Sequence, residues 1–188
     1  AQTGTGKTGS FVLPMIELLQ EEPQPYSKHV HALVLTPTRE LAAQVRESVY
    51  TYGKFTSTTS TAVFGGAKIF RQKSKLKKGV DILVATPGRL LDLHNQKAVK
   101  LNRVQILVLD EADHMLDMGF IHDIKKIIAL TPPDRQNLLF SATFSPEIKK
   151  LAQTLGTDLV EIAAQSPNTT VNAIKQVVYH VDKNQKSN

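Results

Sequence analysis

Apolar residues in this chain gather into short, nearly continuous runs separated by longer stretches with helical spacing. The runs are Ala32–Leu35, Thr61–Phe64, Asp81–Ala85, Gln105–Leu109, Asn137–Phe140, Leu159–Ile162 and Gln176–Val181. Most lack the polar alternation of a half-solvated sheet, and they predict strands covered on both faces. Between them, Phe11–Leu19, Arg39–Tyr52 and Phe120–Leu130 repeat their apolar positions with the period of amphipathic helices. In the last of these, Phe120, Ile121, Ile124, Ile127 and Ile128 share one face and are predicted core. Strand and helix in alternation predict an α/β fold with a mostly parallel sheet. Polar, proline-bearing segments punctuate the pattern. Glu21–Ser27 reads as a surface connection, Pro132-Pro133-Asp134 as a turn, Gln165–Asn172 as a linker and Asp182–Asn188 as a solvated tail.

Composition narrows the class. At 188 residues, 41% hydrophobic and 21% charged, the chain is one ordinary domain plus a little, and neither disordered nor collagen-like. With no cysteine, a disulfide framework, a thiolate zinc site and a cysteine nucleophile are excluded, and a reducing, cytoplasmic setting is expected. No apolar run has the length of a membrane span, and Ala1-Gln2-Thr3-Gly4 is unlike a signal peptide, so no membrane partner is expected. Lys and Arg number 23 against 17 Asp and Glu, a net charge of +6 that points to a polyanionic partner. The whole excess sits between Lys68 and Lys78, in Lys68, Arg71, Lys73, Lys75, Lys77 and Lys78, with no acid among them.

Two motifs carry candidate chemistry. Gly4-Thr5-Gly6-Lys7-Thr8 precedes an apolar helix. Glycines let backbone N–H groups wrap a phosphate, a lysine reaches the β- and γ-phosphates, and a Ser or Thr hydroxyl meets a magnesium ion. The strict phosphate-loop pattern wants glycine where Ala1 stands, so this is the variant A-x-T-G-x-G-K-T, and a glycine-rich surface loop is the bland alternative. The second motif is the run Ile106-Leu107-Val108-Leu109 followed by Asp110, Glu111, Ala112 and Asp113. It delivers two carboxylates to the carboxyl end of a buried strand, where open α/β sheets bind ligands. Asp110 is the expected magnesium ligand and Glu111 the group that orients and deprotonates the attacking water. An acidic first turn that favours the next helix dipole is the competing account. His114 and His122 have no third partner at metal-ligand spacing, so structural or surface roles are expected for both.

Two strand-to-helix turns are built alike, Thr36-Pro37-Thr38-Arg39 and Thr86-Pro87-Gly88-Arg89. In each, threonine is a good N-cap and proline suits the first helical position. An arginine in a first turn opposes the helix dipole, which asks for an anion nearby. Ordinary capped helices with solvated arginines remain the alternative. The pair together with Gly65-Gly66 after another strand favours a tracked phosphodiester backbone. Aromatics are only 6%, so base stacking is not the expected main mode. Lys68–Lys78 is either added electrostatic attraction beside that grip or one solvated helix face.

In order along the chain stand Ala1–Thr8 (AQTGTGKT), Pro37–Ala42 (PTRELA), Gly65-Gly66, Thr86–Arg89 (TPGR), Asp110–Asp113 (DEAD) and Ser141–Thr143 (SAT). This series resembles the first RecA-like domain of DEAD-box ATP-dependent RNA helicases, and Ala85–Leu93 and Met115–Phe120 are most similar to the bacterial RhlE-like branch. The resemblance implies a P-loop NTPase fold, three-layer α/β/α, that binds ATP and Mg2+ and part of an RNA strand. It implies nucleotide contacts from Thr3, Gly4, Thr5, Gly6, Lys7 and Thr8, metal contacts from Thr8 and Asp110, and catalytic roles for Lys7, Asp110 and Glu111. Pro37, Thr38, Arg39, Gly65, Gly66, Thr86, Gly88 and Arg89 are the implied RNA-backbone surface. Asp113, Ser141 and Thr143 are implied to couple nucleotide state to RNA binding; the residues alone give the last two no role beyond a strand end.

The family places an adenine-reading element and a strand before the phosphate loop, and its arginine fingers on a second RecA-like domain. Here residues 1–165 are expected to form an N-terminally truncated first domain, 166–175 a linker, and 176–188 a tail or the first strand of a second domain. The 188-residue chain by itself is then expected to be a poor ATPase without unwinding activity. Two other functions compete: a nucleotide- or RNA-binding module without turnover, and a DNA-directed helicase of the same superfamily. Which RNA or protein partner is engaged is not written in the motifs.

Overall fold

The computed structural model of the chain describes residues 6–21, 29–156 and 159–162. Thr3, Gly4 and Thr5 lie outside the described residues. So do most of the Glu21–Ser27 connection and the whole of the predicted linker, strand and tail after residue 162.

Among the described residues there are five strands: β1 (Ala32–Leu35), β2 (Ser60–Val63), β3 (Ile82–Ala85), β4 (Ile106–Leu109) and β5 (Gln136–Leu139). They form one sheet in the order β2-β3-β1-β4-β5, and every neighbouring pair is parallel. The described residues also form seven helices: α1 (Lys7–Glu21), α2 (Arg39–Tyr52), α3 (Ile69–Lys77), α4 (Pro87–Asn95), α5 (Ala112–Asp117), α6 (Ile121–Leu130) and α7 (Pro146–Gln153). The α/β reading of the hydrophobic pattern is therefore met, with strand ends moved by a residue or so.

The period of two along each strand divides the interior into two cores. Leu33, Leu35, Leu83, Leu107 and Leu109 face one side, where Leu90 and Leu93 of α4, Ile124 and Ile127 of α6 and Leu151 of α7 cover them. Ala32, Val34, Ile82, Val84, Ile106 and Val108 face the other, under Phe11 and Met15 of α1 and Val45 and Val49 of α2. The result is a three-layer α/β/α sandwich. β1, β3 and β4 are buried at every position because helices cover both faces and strands flank both edges. On α6, Ile124 and Ile127 are buried while Phe120, Ile121 and Ile128 pack partly buried against the same core.

Among the described residues, one expected strand is absent. Leu159–Ile162 has the composition of a strand but is unpaired, and Val160 and Ile162 are each 85% exposed. β-branched composition supplies no hydrogen-bond partners, and a strand exists only where a neighbour offers its backbone edge. Among the described residues β5 is itself an edge, and its burial is correspondingly partial. Among the described residues, no helix is long and apolar enough to cross a membrane.

Candidate functional site

Parallel strands send all their carboxyl ends to one edge of the sheet, and the residue that follows each strand sits there. Thr36, Thr86, Asp110 and Phe140 each continue the ladder by one more backbone bond, to Ala85, Val63, Leu35 and Leu109 respectively. The strand order thus sets the order of the motifs. The turns after β2, β3 and β1 are neighbours, and those after β4 and β5 come next.

Beyond β4, Asp110 is completely buried. Lys7, at the first position of α1, brings Nζ to 2.8 Å from Asp110 Oδ1 and 4.0 Å from Glu111 Oε1. Two motifs a hundred residues apart in sequence therefore meet. Burial raises the Asp110 carboxyl above its ordinary value of 3.8, and the Lys7 ammonium partly offsets that rise. Among the described residues, Oδ2 accepts no hydrogen bond of ordinary geometry. A buried carboxylate with an oxygen to spare is the donor a hard divalent cation takes, so the residues present fit a magnesium ion. Glu111 adopts a left-handed conformation, φ 54° and ψ 54°, which costs a non-glycine residue energy and is found where function over-determines the backbone. His114 Nδ1 lies 3.6 Å from Glu111 Oε2 on the exposed side, and His122 is exposed.

The third acid of the quartet looks toward β5. Asp113 Oδ2 accepts from the Ala142 backbone N–H at 3.1 Å and from Thr143 Oγ1 at 3.4 Å. Ala112 N–H donates to Phe140 O at 2.9 Å, and Thr143 N–H donates to Ser141 Oγ at 3.3 Å. The turn after β4 and the turn after β5 are thereby one bonded unit. No local signal in the sequence announces this link, because the partners are about thirty residues apart.

The three remaining turns also touch one another. Gly66 has a positive φ of 76°, and a side chain there would begin 3.5 Å from Arg39 Nη1. Arg89 Nη1 donates to Ala67 O at 3.0 Å, its Nε lies 3.7 Å from Asp92, and the side chain is only 14% exposed. Arg89 therefore holds the Gly65-Gly66 turn in place, whereas Arg39, 63% exposed and paired with Glu40 at 2.5 Å, faces solvent. Gln72, buried and without a role in any motif, donates from Nε2 to Phe64 O at 3.0 Å and so fixes the residue that enters the same turn. Thr38 caps α2 by accepting from Leu41 N–H at 3.2 Å. The expected caps are Thr36 and Thr86, each before its proline. Instead α2 starts two residues later, leaving Pro37 outside the helix and Thr36 donating to Thr38 O at 3.3 Å. Thr86 does stand at the N-cap of α4 before Pro87, but makes no side-chain cap bond. Gly88 is exposed, Pro37 and Pro87 are buried, and Gly65 is exposed with open space around it.

Comparison with known proteins places this arrangement. A DEAD/DEAH box helicase family profile matches residues 1–151. The ATP-dependent RNA helicase CshA of Limosilactobacillus reuteri is 47% identical over 176 residues, 94% of this chain and 35% of that protein. The DEAD-box ATP-dependent RNA helicase CshA of Bacillus subtilis is 42% identical over 186 residues, 99% of this chain and 37% of that protein. The chain thus spans about a third of the length of these curated relatives, whose names do not single out the RhlE-like branch. Among solved structures, a hypothetical ATP-dependent RNA helicase from Sulfolobus tokodaii superposes with a TM-score of 0.75 at 40% identity, covering 84% of this chain and 44% of that one. The yeast DEAD-box splicing factor Prp28 gives 0.77 at 34% identity, covering 81% and 37%. Sequence profile, relatives and superposed folds agree, and the chain belongs to the DEAD/DEAH box helicase family.

Proposed function

We propose that residues 1–165 are the ATP-binding domain of an ATP-dependent RNA helicase, which couples ATP hydrolysis to RNA binding and local duplex unwinding. The observation that carries this is the meeting of Lys7 with Asp110 and Glu111, bonded through Asp113 to the Ser141–Thr143 turn. In the proposed cycle Lys7 leaves Asp110 for the nucleotide phosphates, which also meet the N–H groups of Thr3–Thr8. Thr8 and Asp110 would hold Mg2+, which neutralises phosphate charge when bound. Glu111 orients the attacking water and takes its proton. Asp113 transmits the change at β4 to Ser141 and Thr143.

RNA lies across Pro37, Thr38, Arg39, Gly65, Gly66, Thr86 and Gly88, with Arg89 acting largely through the Gly65-Gly66 turn. Recognition through backbone and 2′-hydroxyls gives low sequence specificity. A second RecA-like domain, after a linker at 166–175 and with 176–188 as its start or a tail, supplies the arginines that complete the ATP site. The cytoplasm, where RNA and ATP meet, is the proposed setting.

Glu111→Gln tests the reading in the intact protein. RNA-stimulated phosphate release should fall by about 10²–10⁴, as for loss of a general base, while nucleotide and RNA still bind. Hydrolysis near the wild-type rate would remove Glu111 from its role. Stimulation by DNA equal to that by RNA would favour the DNA-directed alternative.

A further inference from the structure

We infer that the outer face of α3 is a second, electrostatic stretch of RNA interface, carrying the phosphodiester backbone onward past the Gly65-Gly66 turn. This rests on the RNA reading above and extends it to residues that no family motif contains. Lys68, Arg71, Lys75 and Lys78 follow one another at spacings of three, four and three, so they form a single stripe along the helix. All four are exposed, while Gln72 and Leu76 of the same helix are buried. At 1.5 Å per residue the stripe runs for about 15 Å, one cation per turn.

Three features separate this face from an ordinary solvated one. Solvated helix faces intersperse signs and gain from opposite pairs a turn apart. Here every such pair is cationic and repels, and among the described residues none of the four lies within ion-pair distance of a carboxylate. A polyanion relieves that repulsion. The helix also begins at the candidate RNA turns: Gln72 bonds Phe64 O, Arg89 bonds Ala67 O, and Arg39 stands against Gly66. The stripe is therefore continuous with that edge and rigidly aimed. Lastly, Phe70 is 79% exposed on the same helix, about 100° around the axis from Arg71, a bare ring flanking the stripe on which a base or ribose can stack.

The test is the salt dependence of binding to short and long oligouridylates by the intact protein and by its K68Q/R71Q/K75Q/K78Q variant. The short oligomer covers only the three turns and the long one reaches α3. Single strands lose about 0.7 in slope per phosphate contact, so the variant should flatten the long-oligomer slope by about 2–3 and leave the short one unchanged. Exchanging Lys and Arg at the four positions should restore the slope. Phe70→Ala should weaken only the long oligomer, by about tenfold. ATP affinity should be equal throughout, which shows the fold is intact. An unchanged long-oligomer slope, with wild type binding both lengths, overturns the α3 interface and leaves the RNA reading standing. Failure of wild type to bind either length overturns both.

Discussion

Asp110 is the residue on which the site turns, because burial and charge act on it in opposite senses. Burial raises its carboxyl above 3.8, and Lys7, 2.8 Å away, resists. A carboxyl that binds its proton more tightly when folded withdraws stability as pH rises from the unfolded value through the raised folded one. Asp110→Asn should remove that slope, giving a flatter profile of unfolding free energy against pH from 3.8 upward. Lys7→Ala should do the reverse: it strands a buried charge, costs about 3 kcal/mol where Asp110 is ionised, and carries the falling limb to higher pH. Urea unfolding across the range reads both, and a Lys7→Ala profile that overlies wild type would show the ion pair to be energetically idle. The left-handed Glu111 beside it has no sequence signature, since nothing in the run from Leu109 to Ala112 requires a positive φ. What the sequence did display was the pairing of a lysine after glycines with acids after a buried strand.

At the scale of elements, two turns of nearly identical sequence have become different devices. The Thr38 hydroxyl closes the first turn of α2, whereas Thr86 leaves the start of α4 uncapped. Replacing each with valine removes the hydroxyl and keeps the shape. Thr38→Val should lose about 1 kcal/mol of stability by urea unfolding, a typical cap, and Thr86→Val distinctly less. The opposite ranking would mean that the cap bond is not what stabilises α2. The elements themselves were largely legible: β1, β3 and β4 are apolar at every position, and α2 spans the Arg39–Tyr52 predicted from its period. Their mutual contacts were not. That Arg89 serves the Gly65-Gly66 turn depends on the β2–β3 adjacency, and that Gln72 folds back to Phe64 depends on how α3 packs after that turn; hydrophobic spacing alone encodes neither.

For the whole molecule, sheet order decides both where function sits and which strands hold the fold together. Placing β1 between β3 and β4 lines up the candidate RNA turns on one half of the carboxyl edge and the candidate ATP turns on the other. A signal between them then crosses only the β1–β4 boundary, roughly 5 Å of hydrogen-bonded sheet. The same order makes protection unequal. β1 is bonded on both sides and covered on both faces, so its amides can open only when the sheet does. β5 has one bonded neighbour among the described residues and no fully buried position, and residues 159–162 have no ladder at all. Native-state hydrogen exchange should rank the segments accordingly. β1, β3 and β4 should exchange near the global unfolding free energy, β5 by a lower-energy opening, and residues 159–162 close to the rate of a free peptide. Protection of Val160 and Ile162 comparable to β4 would require a bonded partner for them, and would restore to that apolar run the strand its composition predicts.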